Sequence, residues 1–269
     1  MKIADKTFVV TGAGNGIGRE VALELLRRGA RVAGVDISDA ALSETAALGS
    51  AAEHFSEHAV DLADRDRVAE LPAAIEASHG PIDGLINVAG IIQRFVPIAE
   101  LSIEDIEKVI DVNVWGTINI NKVFLDALLT RPEAALVNVS SMGGLIPFPG
   151  QTAYSASKGA VKLWTEGLQA ELADTPVTVT VVFPGAIATD IARLSGVSDA
   201  SADTADSKIK MTSAPDAGRQ IVEAVASGKP RVRIGSDAKL LDRLSRLMPT
   251  KAIQMIAKKM ASAGESVNG

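Results

Sequence analysis

Short apolar runs alternate along the chain with longer stretches whose apolar residues recur every three or four positions. Phe8-Val9-Val10 reads as a strand and leads into a glycine-rich turn. From Arg19 to Arg28 the apolar positions Val21, Ala22, Leu25 and Leu26 follow helical spacing, and Gly29 ends the pattern. Arg31 to Val35 reads as a second strand. Further strands are expected at 59–60, 84–88, 135–139, 177–182 and 231–234, with helices near 40–48, 64–78, 102–128, 154–173 and 216–227. Strands separated by helices predict βαβ units. Seven strands joined by right-handed crossovers make one α/β domain, a doubly wound parallel sheet with helices on both faces.

The 269 residues suit a single domain of this class, with the sheet domain over 1–235. The stretch 186–213, rich in Ser, Ala, Asp and Thr, reads as an insertion over the C-terminal edge of the sheet. Residues 236–269 form a basic amphipathic extension. Between 229 and 260, nine Lys or Arg stand against Asp237 and Asp242, in a chain whose total is −6. Leu240, Leu241, Leu244, Leu247 and Met248 form an apolar stripe there, continued by Ile253, Ile256 and Met260. Such a segment can cover a cleft, dock on another subunit or lie on an anionic bilayer; packing on the protein is the expectation over membrane contact.

Composition excludes several classes. With no cysteine, disulfide scaffolds, thiolate metal sites and cysteine catalysis are out. The acidic balance argues against nucleic acid as a partner. No signal-peptide core and no 18-residue apolar run is evident, so the expected location is the cytoplasm. His54, His58 and His79 lack metal-ligand company and read as solvated surface groups; no metal is expected.

After Thr11 comes Gly12-Ala13-Gly14-Asn15-Gly16-Ile17-Gly18, opening a helix. Glycines permit a tight turn and let a pyrophosphate approach the helix N-terminus closely. Tyr154 and Lys158 stand four apart, one turn on a shared helix face. Tyr154 is the only tyrosine. Ser141 lies 13 residues before Tyr154 and Asn113 lies 41 before it.

The T-G-x-x-x-G-x-G loop, the Tyr154/Lys158 pair, Ser141, Asn113 and Asn87-Val88-Ala89-Gly90 together resemble the short-chain dehydrogenase/reductase family over roughly residues 5–235. The resemblance implies a Rossmann-like fold and a nicotinamide dinucleotide held by Gly12, Asn15, Gly16, Ile17 and Gly18. Asp61 and Leu62 would meet the adenine. Asn87, Ala89 and Gly90 would shape the cleft, and Val88 departs from the usual second Asn. Pro184, Gly185, Ile187 and Thr189 would hold the nicotinamide carboxamide. Asn113, Ser141, Tyr154 and Lys158 would form the catalytic set. Ser141 would polarise the substrate oxygen, Tyr154 act as acid/base, Lys158 hold the ribose, and Asn113 anchor a water relay. Ser140 competes for the serine role, but strand alternation turns it away.

Asp36 ends the second strand, 18 residues after Gly18. A carboxylate there accepts hydrogen bonds from both ribose hydroxyls and repels a 2′-phosphate, which predicts NAD. Asn15 and Ile37 occupy places where a cation would favour NADP. An ammonium and a cationic nicotinamide should lower the phenol's pKa toward neutrality. Leu145, Ile146, Phe148, Ile187, Ile191 and Leu194, with Gln93 and Gln151 as polar handles, suggest a bulky apolar secondary alcohol or ketone. A 3-ketoacyl-type reductase using NADPH and a non-catalytic NAD-binding sensor are the competing readings. Apolar residues on helices 102–128 and 154–173, including Trp115, Phe124, Trp164 and Leu168, combine with the resemblance to imply a homotetramer.

Overall fold

A computed structural model describes residues 1–49, 52–197 and 211–265. Seven strands form one parallel sheet: β1 (Thr7–Thr11), β2 (Arg31–Asp36), β3 (Phe55–Ala59), β4 (Gly84–Asn87), β5 (Ala134–Val139), β6 (Val177–Pro184) and, last in space and in sequence, Arg231–Ile234. The spatial order is β3-β2-β1-β4-β5-β6 followed by the Arg231–Ile234 strand. The order reverses between β1 and β4, which opens a crevice beyond their C-terminal ends.

Alternation along the strands feeds two cores. Phe8 and Val10 face a layer built by α1 (Gly16–Arg27), α2 (Asp39–Leu48) and the helix Ala214–Ser227. Val9 and Leu85 face α3 (Arg65–His79), α5 (Gly116–Leu129) and α6 (Thr152–Glu171). The central strands are buried on both faces, which is why they read as unbroken apolar runs rather than as alternation.

Four features depart from the sequence-based expectations. β3 lies at Phe55–Ala59, not 59–60. It is an edge strand in which Phe55 alone is buried, so Ser56, Glu57 and His58 left no apolar run to read. The helix expected over 102–128 is α4 (Ile103–Ile110) and α5 joined by a π-helical turn, Asp111–Trp115. Phe124 and Leu168 belong to the second core rather than to an outer face, whereas Trp115 is exposed under Arg65.

The histidines are the fourth. Ser56 Oγ lies 2.8 Å from Nε2 of both His58 and His79, so these rings are held at the sheet edge rather than freely solvated. Burial, then the charge of His79, lowers the pKa of His58; burial, Arg31 and His54 lower that of His79. The unfolded chain therefore binds more protons than the folded one below pH 6.5, and stability falls as the pH drops through that region. The midpoint of thermal unfolding should decline between pH 7 and pH 5. Replacing His58 and His79 together by Asn should flatten that slope; an unchanged slope would remove the pair from the account.

Of the 186–213 insertion, the structure describes the two-residue strands β7 (Ile187–Ala188) and β8 (Thr212–Ser213), which pair with each other, and the short α7 (Ile191–Leu194). Residues 198–210 lie outside the described residues. With these two strands numbered, the helix Ala214–Ser227 is α8 and the last sheet strand, Arg231–Ile234, is β9.

The C-terminal extension forms α9 (Ser236–Leu247) and α10 (Pro249–Glu265), with 266–269 outside the described residues. Its expected apolar stripe is split. Leu241 and Leu244 are half-buried, while Leu240, Leu247 and Met248 are exposed. Asp242, 2% exposed, takes the inward position instead and binds Arg231, Arg233 and Arg246. This ion cluster fastens α9 to β9.

Candidate active site

Thr11 and Asn87 end β1 and β4, and with Asn138, one residue before the end of β5, they form one row across the sheet. Thr11 Oγ donates to Asn87 Oδ1 at 2.6 Å. Asn87 Nδ2 donates to Thr117 Oγ and to Asn138 Oδ1. Asn138 Nδ2 reaches Asn121 and Thr165 on the covering helices. Each buried amide is satisfied, so the belt costs no unpaired polar group and locks the C-terminal edge of the sheet to α5 and α6. Asn87, expected beside a ligand, is therefore 2% exposed and spent inside the sheet.

Above this belt lies a cleft of about 830 Å³. Of the residues singled out from sequence, Gly12, Asn15, Gly16, Ile17, Gly18, Asp36, Asp61, Leu62, Ala89, Gly90, Ser141, Tyr154, Lys158, Pro184, Gly185, Ile187 and Thr189 all line it. Asn87 and Asn113 stand behind its wall. Leu145, Ile146 and Phe148 are not among its lining, and Ile146 is buried.

The phosphate end is built by omission. Gly12 turns at φ +67°, and a methyl group there would sit 3.0 Å from the Ala89 backbone. Helices α2, α3, α4 and α8 have side-chain caps from Ser38, Asp64, Ser102 and Ser213. The α1 N-terminus has none, and no acid lies in its first turn. Its free N–H groups and partial positive charge thus face the cleft, a fit for a pyrophosphate. Beside this loop, Asp36 accepts from the N–H of Gly14 and of Ser38 through separate oxygens. Those bonds fix the carboxylate and leave lone pairs for vicinal hydroxyls.

The residues expected to be catalytic gather around α6. Ser141 Oγ accepts from Gly143 N–H and hydrogen-bonds the Tyr154 phenol. Lys158, 4% exposed, donates from Nζ to the Val139 carbonyl. Ser140 Oγ donates to the Lys158 carbonyl, so it braces the helix and is not the reacting serine. A methyl on Gly90 would meet Lys158 Nζ at 2.9 Å and Asn113 Oδ1 at 3.1 Å, which shows how closely the three groups converge. The π turn carries Asn113 inward to zero exposure; its amide bonds the N–H and C=O of Ile91 and the Ser157 hydroxyl.

The protein's own groups do not produce the expected acidification of Tyr154. Burial raises the phenol's pKa, and the Ser141 hydrogen bond offsets only part of that. Burial also lowers Lys158 to about 8, and its ammonium is aimed at Val139 O. Desolvation penalises either charged form when no partner charge is in the pocket.

Gln93 and Gln151 were expected to face a substrate. Gln93 instead uses both ends of its amide inside the protein, on Tyr154 N–H and Gly150 O, and Gln151 Nε2 donates to Gln93 O. Two groups escaped sequence reasoning. Glu104, Glu107 and Asp111, with Lys108 among them, border the cleft from α4 and the π turn; their i, i+3, i+7 stripe is present in the sequence but was not singled out. Asp237 of α9 accepts from Ala186 N–H at 2.7 Å and fills space left by Gly185 and Gly235. Nothing in linear spacing points to it. Among the described residues, no His/Cys/Asp/Glu group could hold a metal, and no helix is long and apolar enough to cross a membrane.

Comparison with known proteins agrees with this geometry. SadH of Mycobacterium tuberculosis, named as an oxidoreductase, is 37% identical over 264 residues, 95% of each chain. A short chain dehydrogenase of Burkholderia cenocepacia in complex with NADP superposes with a TM-score of 0.80 at 27% identity, covering 95% of this chain and 99% of that one. A short chain dehydrogenase/reductase of Burkholderia phymatum in complex with NAD gives 0.82 at 24% identity, covering 96% and 97%, a likeness of fold. The short chain dehydrogenase profile matches residues 6–197, and the chain belongs to that family.

Proposed function

We propose that the protein is an NAD(H)-dependent oxidoreductase that interconverts a bulky apolar secondary alcohol and its ketone. One observation carries the reading: Ser141, Tyr154 and Lys158 converge at one end of a single cleft whose other end holds the uncapped α1 terminus and Asp36. When bound, the coenzyme supplies a hydride acceptor or donor at its nicotinamide ring.

The chain's own residues do the rest. Amides of the α1 first turn hold the pyrophosphate, and Asp36 accepts the ribose hydroxyls. Asp61 and Leu62 border the adenine. Pro184, Gly185, Ile187 and Thr189 orient the carboxamide. Lys158 Nζ turns from Val139 O toward the second ribose. Ser141 donates to the substrate oxygen and fixes it beside Tyr154 Oη. In oxidation Tyr154 takes the hydroxyl proton; in reduction it gives one to the forming alkoxide. Asn113, through Ile91, holds the wall past which protons would pass to solvent. Ile187, Ile191 and Leu194 line the open side and favour an apolar substrate.

Asp36, Asp61, Glu104, Glu107 and Asp111 make the adenosine end acidic, which supports NAD over NADP because a 2′-phosphate would be repelled there. The exposed Trp115, Leu129 and Leu163 on α5, α6 and the turn before them support a homotetramer.

The test is a panel of apolar secondary alcohols assayed with NAD and with NADP by absorbance of the reduced coenzyme. NAD should win. Asp36→Ala should cost about 10- to 100-fold in kcat/KM with NAD and narrow the gap to NADP. Preference for NADP in the unaltered protein would favour the alternative, an NADPH-dependent 3-ketoacyl-type reductase.

A further inference from the structure

The helix that carries Tyr154 has no local cap. Its N-cap residue, Gln151, makes no side-chain capping bond. Tyr154 is the third residue of the helix, so its N–H is one of the orphan donors of the first turn. That donor is satisfied from 61 residues away: Gln93 Oε1 accepts it at 2.9 Å. Gln93 is 3% exposed, its Nε2 donates to Gly150 O at 3.0 Å, and its own carbonyl accepts from Gln151 Nε2 at 2.9 Å. Through its side chain and its carbonyl, this one residue ties together Gly150, the cap residue Gln151 and the tyrosine.

The segment holding Gln93 is itself pinned at each preceding residue. Ile91 is clamped at N–H and C=O by Asn113. Ile92 N–H donates to Ser195 Oγ, next to α7 at the open side of the cleft. Three consecutive residues thus link the π turn, the flap beside the cleft and the first turn of α6. A buried glutamine with both ends of its side-chain amide engaged is a rigid reference point, since moving it leaves unpaired groups on Gly150 and Tyr154.

We infer that Gln93 is a positioning residue, a long-range cap that sets Tyr154 against Ser141. The inference rests on the proposed role of Tyr154 and deepens it. The residue touches no reacting atom; it acts by keeping the first turn of α6 closed. Without it the turn frays and the Ser141 contact loosens.

Because Tyr154 is the only tyrosine, phenolate absorbance near 295 nm reports its ionisation alone. Three variants of the full-length protein are compared with the unaltered chain: Gln93→Leu, which fills the space and accepts nothing, Gln93→Glu, which keeps an acceptor for Tyr154 N–H, and Tyr154→Phe. In Gln93→Leu the ionisation midpoint should rise further, because the Ser141 hydrogen bond that lowers it is loosened, and kcat with the best panel alcohol should fall about tenfold or more. NAD affinity, read by tryptophan fluorescence, should stay within about twofold. Gln93→Glu should restore most of kcat and keep the midpoint of the unaltered chain. A Gln93→Leu protein that titrates and turns over like the unaltered chain overturns the inference. So does equal loss of kcat and NAD affinity in both Gln93 variants, which would mark a purely structural role. If Gln93→Leu does not fold, Gln93→Glu decides: loss of kcat in a folded protein with its NAD affinity intact overturns the cap. Tyr154→Phe separates the two levels, since an active Tyr154→Phe enzyme defeats the reading of the site itself, whereas an inactive one beside a normal Gln93→Leu defeats only the cap.

Discussion

Tyr154→Phe is expected to lower turnover by about 10²–10⁴-fold while leaving NAD affinity within about twofold. The substitution removes one oxygen and keeps the ring, so the packing of α6 is preserved. What disappears is the group that exchanges a proton with the substrate oxygen. Ser141 keeps its bond from Gly143 N–H, so the substrate can still be oriented. The loss should therefore fall on kcat rather than on KM. In the unliganded protein the phenol resists ionisation because burial disfavours phenolate. Saturating NAD should bring the 295 nm midpoint down, because it adds positive charge beside a group that has only Ser141 for company. Oxidation rates should rise with pH through that liganded midpoint. A Tyr154→Phe enzyme retaining a tenth of normal turnover would remove Tyr154 from the chemistry.

Gly18→Ala should be nearly as damaging, for a steric reason. A methyl group at this buried position would stand 2.1 Å from the Gly12 carbonyl oxygen and 2.6 Å from its carbon. Neither atom belongs to a flexible side chain, so the glycine loop or α1 must shift. The loop cannot move without opening the contact between Gly12 and Ala89, and α1 cannot move without disturbing Val21, Leu25 and Leu26 in the core. Overpacking of this kind costs about 1–3 kcal/mol, a fall in Tm of several degrees. Because the same backbone forms the pyrophosphate cradle, NAD affinity should drop by about two orders of magnitude or more. Gly159→Ala is the control: on α6, with nothing within 4 Å of the added methyl, it should be neutral or mildly stabilising. Calorimetry and a fluorescence titration check both; a Gly18→Ala protein with normal NAD affinity would detach the loop from coenzyme binding.

The order of strands and helices, the glycine turn, the Tyr154/Lys158 pair and the carboxylate at Asp36 were all legible in the linear chain. They rest on local rules: period-two and period-3.6 apolar spacing, backbone freedom at glycine, and side chains one helical turn apart. Where an element carried no apolar run, as in the edge strand around Ser56 and His58, the reading slipped by four residues. The π turn at Asp111–Trp115 was likewise invisible, because one extra residue per turn leaves no mark on composition.

What tertiary structure alone decided was which polar groups are spent on holding the fold and which remain for chemistry. Asn87 looks like a ligand contact in sequence, yet Thr11, Thr117 and Asn138 consume it. Gln93 looks like a substrate handle, yet it accepts from the first turn of α6. Asp237 looks like an ordinary helix-start acid, yet it pins the segment after Gly185. Apolar periodicity is written in the chain because burial acts on each residue separately. A hydrogen bond needs two partners, and here those partners lie 30 to 76 residues apart, so only the folded backbone could say which donors and acceptors meet.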